Sequence, residues 1–396
     1  MNRIVLFDTT LRDGTQGAGL SFSVGDKLKV ARALDGFGIH YIEGGWPGSN
    51  PKDEQFFKEA AKMKFKNAKI TAFSSTRYKG NKAHNDPNLL ALVRSKTKAV
   101  CIFGKSWDLH VKEALRTTEQ ENLKMIEESV AFLKSRGLEV IYDAEHFFDG
   151  FKSNREYALK TLSAASKGGA DYITLCETNG GMLPADISEI VNVVVREMPD
   201  TRLGIHTHND SGCAVANSIV AVNEGCVMVQ GTINGMGERC GNANLCSIIP
   251  ALQIKMGLSI EGLKSLEGLT ELSRYVDEIA NLLPDELQPY VGSNAFAHKA
   301  GIHVSAMARN ALTYEHIDPS LVGNERRILI SELSGKSNIV HKAKELSLDI
   351  RKDPDGAKKI ISLVKKYEEA GYQFEDADGS FFILTKKALG QYKPFF

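Results

Sequence analysis

The sequence has no excess of charge of either sign, no long apolar run and no closely spaced pair of cysteines. Its 396 residues include 49 basic and 49 acidic side chains, so the formal net charge is zero. A chain without a basic stripe lacks the electrostatic signature of nucleic-acid binding and of attachment to an anionic membrane. We therefore expect neither kind of partner, and we expect the ligands to be small molecules.

Long hydrophobic stretches are missing from the first residue onwards. The apolar run Ile4–Phe7 is interrupted by Asp8, which makes it too short for the core of a secretory signal. No later stretch approaches the ~20 apolar residues that a membrane-spanning helix requires. We therefore expect a cytoplasmic protein.

Cysteine is also sparse, and none of it forms a Cys-x-x-Cys pair of the kind that binds zinc or carries out thiol redox chemistry. We expect most of the six cysteines to be small core residues. They are Cys101, Cys176, Cys213, Cys226, Cys240 and Cys246.

Short runs rich in β-formers are instead the dominant pattern, and stretches with helical periodicity separate them. This alternation predicts parallel strands joined by helical crossovers. Eight such units over roughly 260 residues favour a closed (β/α)8 TIM barrel over an open doubly wound sheet. The eight predicted strands are Ile4–Asp8, Tyr41–Gly45, Lys69–Ser74, Ala99–Phe103, Leu138–Asp143, Tyr172–Cys176, Arg202–Thr207 and Val227–Thr232.

The pattern changes after the eighth unit, where a long amphipathic helix is predicted at Leu266–Leu283, directly before Pro284. We expect residues 1–283 to form the barrel with this helix, 284–330 to form a linker or lid, and 331–396 to form a mainly helical subdomain. Helices are predicted there at Glu332–Leu346 and Asp355–Ala370, followed by a short strand at Phe381–Leu384.

Polar residues follow the first and seventh predicted strands. Catalytic side chains of a barrel lie on the loops after the strands, because only that rim gathers residues from every strand. The first loop offers Arg12, Asp13 and Gln16. After the seventh strand, His206 and His208 stand two residues apart, so both imidazoles point to the same face and can bind one cation, with Asp13 as a carboxylate ligand.

A third polar segment, Asn234–Asn242, follows the eighth strand and contains several glycines, which allow the backbone to approach a ligand. Asn242 offers an amide oxygen to the same cation. Taken alone this segment is equally consistent with an ordinary turn, in which Glu238 and Arg239 form a surface ion pair.

Three motifs in this order resemble the signatures of the isopropylmalate, homocitrate and citramalate synthases. They are Leu11–Gln16 (LRDGTQ) with Lys27 downstream, Leu203–Gly212 (LGIHTHNDSG) and Gly237–Asn242 (GERCGN). Within this family, Tyr41–Asp53 (YIEGGWPGSNPKD) is most similar to bacterial citramalate synthases.

The resemblance implies a metal-assisted condensation of acetyl-CoA with a 2-oxo acid, followed by hydrolysis of the thioester. With pyruvate the product is citramalate, a precursor of isoleucine through 2-oxobutyrate; with another acid it is isopropylmalate or homocitrate. The implied cofactor is a divalent cation, Zn²⁺, Mn²⁺ or Mg²⁺. Its implied ligands are Asp13, His206, His208 and Asn242.

The same resemblance assigns the remaining roles. Arg12 would stabilise the negative charge that develops on the carbonyl oxygen, and the substrate-binding residues would be Arg12, Asp13, Gln16 and Thr178. The base that removes a methyl proton from acetyl-CoA is left open between Glu145 and His303, with Tyr314 beside the latter. A homodimer is implied, in which the lid residues complete the active site of the partner subunit.

Glu43 and Ser74, at the second and third strand ends, are expected to border the pocket, whereas Lys105 and Trp107, after the fourth strand, are expected only to shape its rim. Many relatives continue into a C-terminal regulatory domain that binds the end-product amino acid. The sequence stops at Phe396, so we expect that domain, and feedback inhibition by isoleucine, to be absent from this sequence, whether it is a truncated piece or the protein naturally lacks the domain.

Three rival interpretations agree less well with the sequence. A biotin-dependent carboxyltransferase carries a metal-binding lysine after the sixth strand, where this sequence has Glu177 and Thr178. An acyl-CoA lyase usually lacks an extended segment such as Ala300–Glu315, which contains the His and Tyr of the lid. A non-catalytic metal-binding barrel would not need the complete set of Arg12 and the four implied ligands.

Overall fold

A computed structural model describes residues 3–350, 353 and 355–394. The chain divides into two compact units, and the division falls between Pro284 and Asp285. The three-part organisation with a further boundary at residue 330 stays a prediction.

The first unit is a closed barrel, as predicted. Its strands pair in sequence order, all in parallel, and β1 closes the ring by pairing with β8. The predicted TIM-barrel fold is therefore confirmed. The strands are β1 Val5–Asp8, β2 Tyr41–Gly45, β3 Lys69–Ser75, β4 Ala99–Lys105, β5 Glu139–Glu145, β6 Tyr172–Glu177, β7 Leu203–Thr207 and β8 Met228–Gly231.

Helices connect these strands, and their ends follow from local sequence. Ser23 and Asp26 form a capping box that begins α1, and Gly38 ends it in the left-handed region. The helix predicted at Leu266–Leu283 is shorter, because Asn281 adopts a left-handed conformation after Ala280. The helices are α1 Val24–Phe37, α2 Pro51–Ala60, α3 Pro87–Arg94, α4 Asp108–Glu113, α5 Glu119–Ser135, α6 Phe147–Ser153, α7 Arg155–Gly168, α8 Pro184–Glu197, α9 Ala214–Glu224, α10 Leu245–Pro250 and α11 Leu269–Ala280.

The interior of the barrel has an apolar layer below a polar one. The apolar layer consists of Phe7, Tyr41, Phe73, Ala99, Cys101, Ile141, Tyr172 and Met228, which form one buried cluster. Because side chains alternate along a strand, the residue two positions further on faces the same interior. That step leads from Tyr41, Ile141, Tyr172 and Met228 to the polar residues Glu43, Asp143, Thr174 and Gln230, and on β7 it leads from Gly204 to His206. These five form a polar layer at the carboxyl ends of the strands.

The connection between β3 and α3 depends on the fully buried carboxylate of Asp86. Its oxygens accept hydrogen bonds from the backbone N–H of Asn88 at 3.0 Å, from the N–H of Tyr78 at 2.9 Å and from the Asn81 amide at 2.9 Å. We expect Asp86→Ala to lower the free energy of unfolding by about 2 to 3 kcal/mol, since it removes a helix cap and leaves these donors unpaired.

Urea unfolding of the Asp86 variant measures this loss. The matched control is Thr118→Ala, because Thr118 caps α5 through a single hydrogen bond, from Glu121 N at 3.2 Å. That variant is expected to lose about 1 kcal/mol. Equal losses for the two variants would contradict the assigned role of Asp86.

The second unit is mainly helical, with one short parallel strand pair. Its elements are β9 Ala297–His298, α12 Gly301–Met307, β10 Arg327–Ile328, α13 Lys336–Glu345, α14 Gly356–Glu369 and α15 Asp378–Ala388. Among the described residues, no helix combines the length and the apolar character needed to cross a bilayer.

The prediction of a strand at Phe381–Leu384 is wrong, because these residues lie inside α15. Phe381 and Leu384 are three positions apart, so they share one helical face, and both are buried in the core of this unit. The run FFIL has β-branched and aromatic character, but tertiary packing on this face determines its conformation.

Candidate active site

A pocket of about 270 Å³ lies at the carboxyl-terminal ends of the barrel strands. It is lined by Arg12, Asp13, Gln16, Trp46, Phe73, Phe103, Asp143, Glu145, Cys176, Thr178, His206, His208, Glu238 and Arg239. The barrel thus brings together most of the side chains predicted for the site. Trp46, Phe73 and Phe103 were not predicted; they contact one another edge-on or stacked, with ring centroids 5.4 to 5.9 Å apart.

Asp13, His206 and His208 meet at the floor of this pocket, and all three are buried. The Nε2 atoms of the two histidines are 3.3 Å apart. Asp13 Oδ2 lies 3.3 Å from His206 Nε2 and 3.9 Å from His208 Nε2. Ligand atoms about 2.1 Å from one cation are themselves about 3.0 to 3.4 Å apart. Two of the three separations meet this range and the 3.9 Å separation exceeds it, so the donor set fits a divalent ion after a small side-chain movement.

Asn242, on the segment that follows β8, joins the same group from beside β1 and β7. Its Nδ2 donates to Asp13 Oδ2 at 2.7 Å and lies 3.3 Å from His206 Nε2. Its Oδ1 is buried and has no hydrogen-bond partner among the described residues. Because an amide can rotate to exchange its two ends, this unpaired oxygen is available as a fourth ligand.

Arg12 is held in the pocket by three contacts. Its Nε donates to Glu43 Oε2 at 2.5 Å, and its Nη1 donates to Asp13 Oδ1 at 3.1 Å. The guanidinium carbon lies 3.8 Å from the centre of the Phe73 ring. Two carboxylates and an aromatic face therefore fix the position of this cation beside the candidate metal ligands.

The electrostatics of the group favour cation binding. Burial alone would raise the pKa of Asp13, but Arg12 and the two histidines hold it well below its usual range. Burial, and the neighbouring His206, lower the pKa of His208 to about 4. Burial raises the pKa of Glu43 to about 7, against the opposing effect of Arg12. Asp13 is therefore ionised and His208 neutral near neutral pH, which is the protonation that metal ligation requires of these two residues. Burial would lower the pKa of His206, but the neighbouring Asp13 raises it, so a cation competes with a proton for this ring.

Thr178 and Glu145 face the pocket from neighbouring strand ends. Thr178 Oγ1 accepts a hydrogen bond from His146 N at 2.9 Å, so the hydroxyl hydrogen of Thr178 remains available for a ligand. His146 has a left-handed φ of 55° at the end of β5, which directs this N–H. Glu145 forms an ion pair with Lys105.

The other predicted residues occupy different positions. Ser74 is fully buried at the end of β3. Trp107 stacks on His110 and is absent from the pocket lining. His303 and Tyr314 belong to the second unit, where their rings stack with centroids 4.1 Å apart. The structure thus places these two side chains in contact.

Comparison with known families tests the resemblance. Residues 3–276, well over half of the chain, match the HMGL-like family. The chain belongs to the HMGL-like family. Residues 290–372 of this HMGL-like chain also match the family described as homocitrate synthase post-HMGL domain-like. The predicted membership in the group of isopropylmalate, homocitrate and citramalate synthases is confirmed.

Curated relatives of this HMGL-like chain include several (R)-citramalate synthases. That of Aquifex aeolicus is 55% identical, over 100% of this chain and 75% of the relative. That of Geobacter sulfurreducens is 54% identical with the same coverage. The 2-isopropylmalate synthase of Sulfolobus acidocaldarius is 34% identical, over 95% of this chain and 94% of the relative. The predicted similarity to the citramalate synthase branch is therefore confirmed.

Solved structures agree on the fold of the HMGL-like barrel. The HMG-CoA lyase of Bacillus subtilis matches with a TM-score of 0.60 and 18% identity, over 72% of this chain and 96% of the lyase. At this identity the likeness supports the fold alone.

Proposed function

We propose that this protein condenses acetyl-CoA with pyruvate and hydrolyses the resulting thioester, giving citramalate and CoA. The main support is that this chain, along its whole length, is 55% and 54% identical to two (R)-citramalate synthases. In this role the protein is an acyltransferase that supplies a precursor of isoleucine. Isopropylmalate or homocitrate formation is the alternative, since it uses the same chemistry with another 2-oxo acid.

A divalent cation is proposed to bind Asp13, His206 and His208, with Asn242 as a fourth ligand. The close approach of the three ligand atoms and the unpaired Asn242 oxygen support this assignment. A bound cation would polarise the carbonyl of the 2-oxo acid. Zn²⁺, Mn²⁺ and Mg²⁺ all tolerate two nitrogens and one or two oxygens.

Arg12 is proposed to stabilise negative charge on the carbonyl oxygen of the 2-oxo acid. The guanidinium is already oriented by Glu43 and Asp13, so little reorganisation is needed during the reaction. Gln16 lines the same pocket and is proposed to contact the substrate.

Thr178 is proposed to donate its hydroxyl hydrogen to the substrate carboxylate. We expect Thr178→Val to raise KM for the 2-oxo acid about tenfold, which corresponds to the loss of one hydrogen bond to a charged group. Divalent metal affinity should be unchanged, because Thr178 has no contact with the proposed ligands. Steady-state kinetics and metal titration together test this; a loss of metal binding would contradict the role.

Proton abstraction from acetyl-CoA is proposed to involve Glu145 or His303. Glu145 lines the pocket and pairs with Lys105. His303 stacks on Tyr314, and by resemblance both would complete the site of a partner subunit in a homodimer.

The dimer proposal predicts complementation between two inactive variants. Asp13→Ala and His303→Ala, each inactive alone, should regain about a quarter of wild-type turnover when they are unfolded and refolded together. This follows because a mixed dimer contains one site with an intact barrel and an intact partner lid. Recovery no greater than the sum of the separate variants would contradict a site shared between subunits.

The substrate is tested by measuring CoA released from acetyl-CoA by the metal-loaded protein with each of four acids in parallel: pyruvate, 2-oxoisovalerate, 2-oxobutyrate and 2-oxoglutarate. Preference for pyruvate supports citramalate formation. Preference for another acid keeps the chemistry and changes the product. No release with any acid would contradict the proposal.

A further inference from the structure

Gln230 lies at the centre of a buried hydrogen-bond network behind the candidate metal ligands. It belongs to β8, and its side chain is fully buried. Its Oε1 is 2.9 Å from Nδ1 of His206. Its Nε2 donates to Asp143 Oδ1 at 2.8 Å and to Thr174 Oγ1 at 3.0 Å. Four neighbouring strands, β5 to β8, each contribute one member.

The carboxylate of Asp143, which only accepts when it is ionised, determines which way the Gln230 amide faces, and the Thr174 hydroxyl, which can donate or accept, fits the same arrangement. An amide has two N–H hydrogens and one carbonyl oxygen, and here both hydrogens have partners on Asp143 and Thr174. The carbonyl oxygen must then face His206. A carbonyl oxygen only accepts, so Nδ1 of His206 has to carry the hydrogen.

A hydrogen on Nδ1 leaves Nε2 of a neutral imidazole with a free lone pair. This Nε2 atom points into the candidate metal group, 3.3 Å from Asp13 Oδ2 and 3.3 Å from His208 Nε2.

We propose that Gln230, oriented by Asp143 and Thr174, is a positioning residue that fixes His206 as its Nδ1–H tautomer and so prepares Nε2 to bind the divalent cation. The inference rests on the proposed metal site and extends it to a residue outside the ligand set. Partners of this kind typically alter metal affinity by about 10 to 100-fold when removed.

His208 offers an internal comparison. Its Nδ1 is buried and has no hydrogen-bond partner among the described residues, so the protein does not fix its tautomer in this way. Gln230 therefore acts on one of the two histidines only.

The network also explains why the residue at position 230 is a glutamine. A glutamate at position 230 would place a second carboxylate beside that of Asp143, where Gln230 Nε2 now lies 2.8 Å from Asp143 Oδ1. Two like charges so close in a buried site repel strongly. A neutral amide meets both requirements, since it donates to Asp143 and accepts from His206.

The experiment uses the full-length protein with Gln230→Leu, which preserves approximate size and removes both hydrogen-bonding ends. Selective nitrogen-15 labelling of histidine reports the tautomer of His206 in the metal-free protein, at a pH high enough to keep the imidazole neutral. The His206 signal is assigned by its loss in His206→Gln. Affinity for Mn²⁺ and Zn²⁺ is measured separately by competition with a chelator.

We expect wild-type His206 to be the Nδ1–H tautomer, and Gln230→Leu to populate the Nε2–H tautomer and lose about 10 to 100-fold in metal affinity. Thr174→Val removes one of the two acceptors, so it should give the same changes on a smaller scale. It also provides the test if the leucine variant does not fold. Gln253→Leu, outside the network, is the matched control and should leave both readouts unchanged.

Unchanged tautomer and unchanged metal affinity in the folded Gln230 and Thr174 variants would overturn the inference. A wild-type protein that binds no divalent ion would instead refute the proposed metal site. The tautomer of His206, measured without metal, would still decide whether Gln230 positions that ring. The two failures are therefore distinguishable.

Discussion

Replacement of Asp13 by Asn is expected to abolish divalent metal binding and to lower turnover more than about a thousandfold. Asn keeps the size of the side chain but removes the charge that faces His206 and His208. The guanidinium of Arg12 also loses one of its two carboxylate partners. Metal titration and CoA-release kinetics measure the two effects.

The matched control for the Asp13 variant is Asp26→Asn. Asp26 is a carboxylate of the same barrel unit, partly exposed at the start of α1, where it forms the capping box with Ser23 and an ion pair with Lys29. We expect full metal binding and near wild-type turnover in this control. Retention of metal by Asp13→Asn at wild-type affinity would contradict the ligand assignment.

Replacement of Arg12 by Lys is expected to lower kcat about 100 to 1,000-fold while divalent metal affinity changes little. Lysine keeps the positive charge but not the planar group that contacts Glu43, Asp13 and the Phe73 ring at once. We expect the Arg12→Lys replacement to lower kcat, because the negative charge on the carbonyl oxygen develops during the reaction.

Arg77→Lys is the control for the general effect of replacing a buried planar guanidinium by an ammonium group. Arg77 is also buried and also contacts two carboxylates, Glu121 at 2.8 Å and Glu128 at 2.7 Å, but it does not line the pocket. This variant should lose stability without a change in kcat. A change in KM alone for Arg12→Lys would show that Arg12 binds substrate without stabilising the reaction's charge.

The barrel could be predicted because its signal is repeated eight times. Each parallel strand is buried on both faces, which gives a short continuous apolar run bounded by turn residues. The strand ends then locate the functional loops, so the sequence alone predicts Asp13 and His206 at one rim.

Other features depend on tertiary contacts that leave no local signature. Gln230 is a single polar residue in an apolar strand, and its role emerges only when β5 to β8 are adjacent. The aromatic group of Trp46, Phe73 and Phe103 likewise comes from three different strand ends. Phe381 belongs to a helix because its burial partners lie in the second unit's core, which the run FFIL does not reveal.

Detection of the new carbon–carbon bond is the most direct test of the proposal that this protein makes citramalate from acetyl-CoA and pyruvate. The metal-loaded protein is incubated with acetyl-CoA labelled with carbon-13 at the methyl carbon and pyruvate labelled with carbon-13 at the carbonyl carbon. Citramalate formation joins these two labelled atoms. We therefore expect a product whose carbon-13 NMR spectrum shows a one-bond coupling between a methylene carbon and a hydroxyl-bearing carbon. Release of CoA accompanied only by labelled acetate and unchanged pyruvate would contradict it.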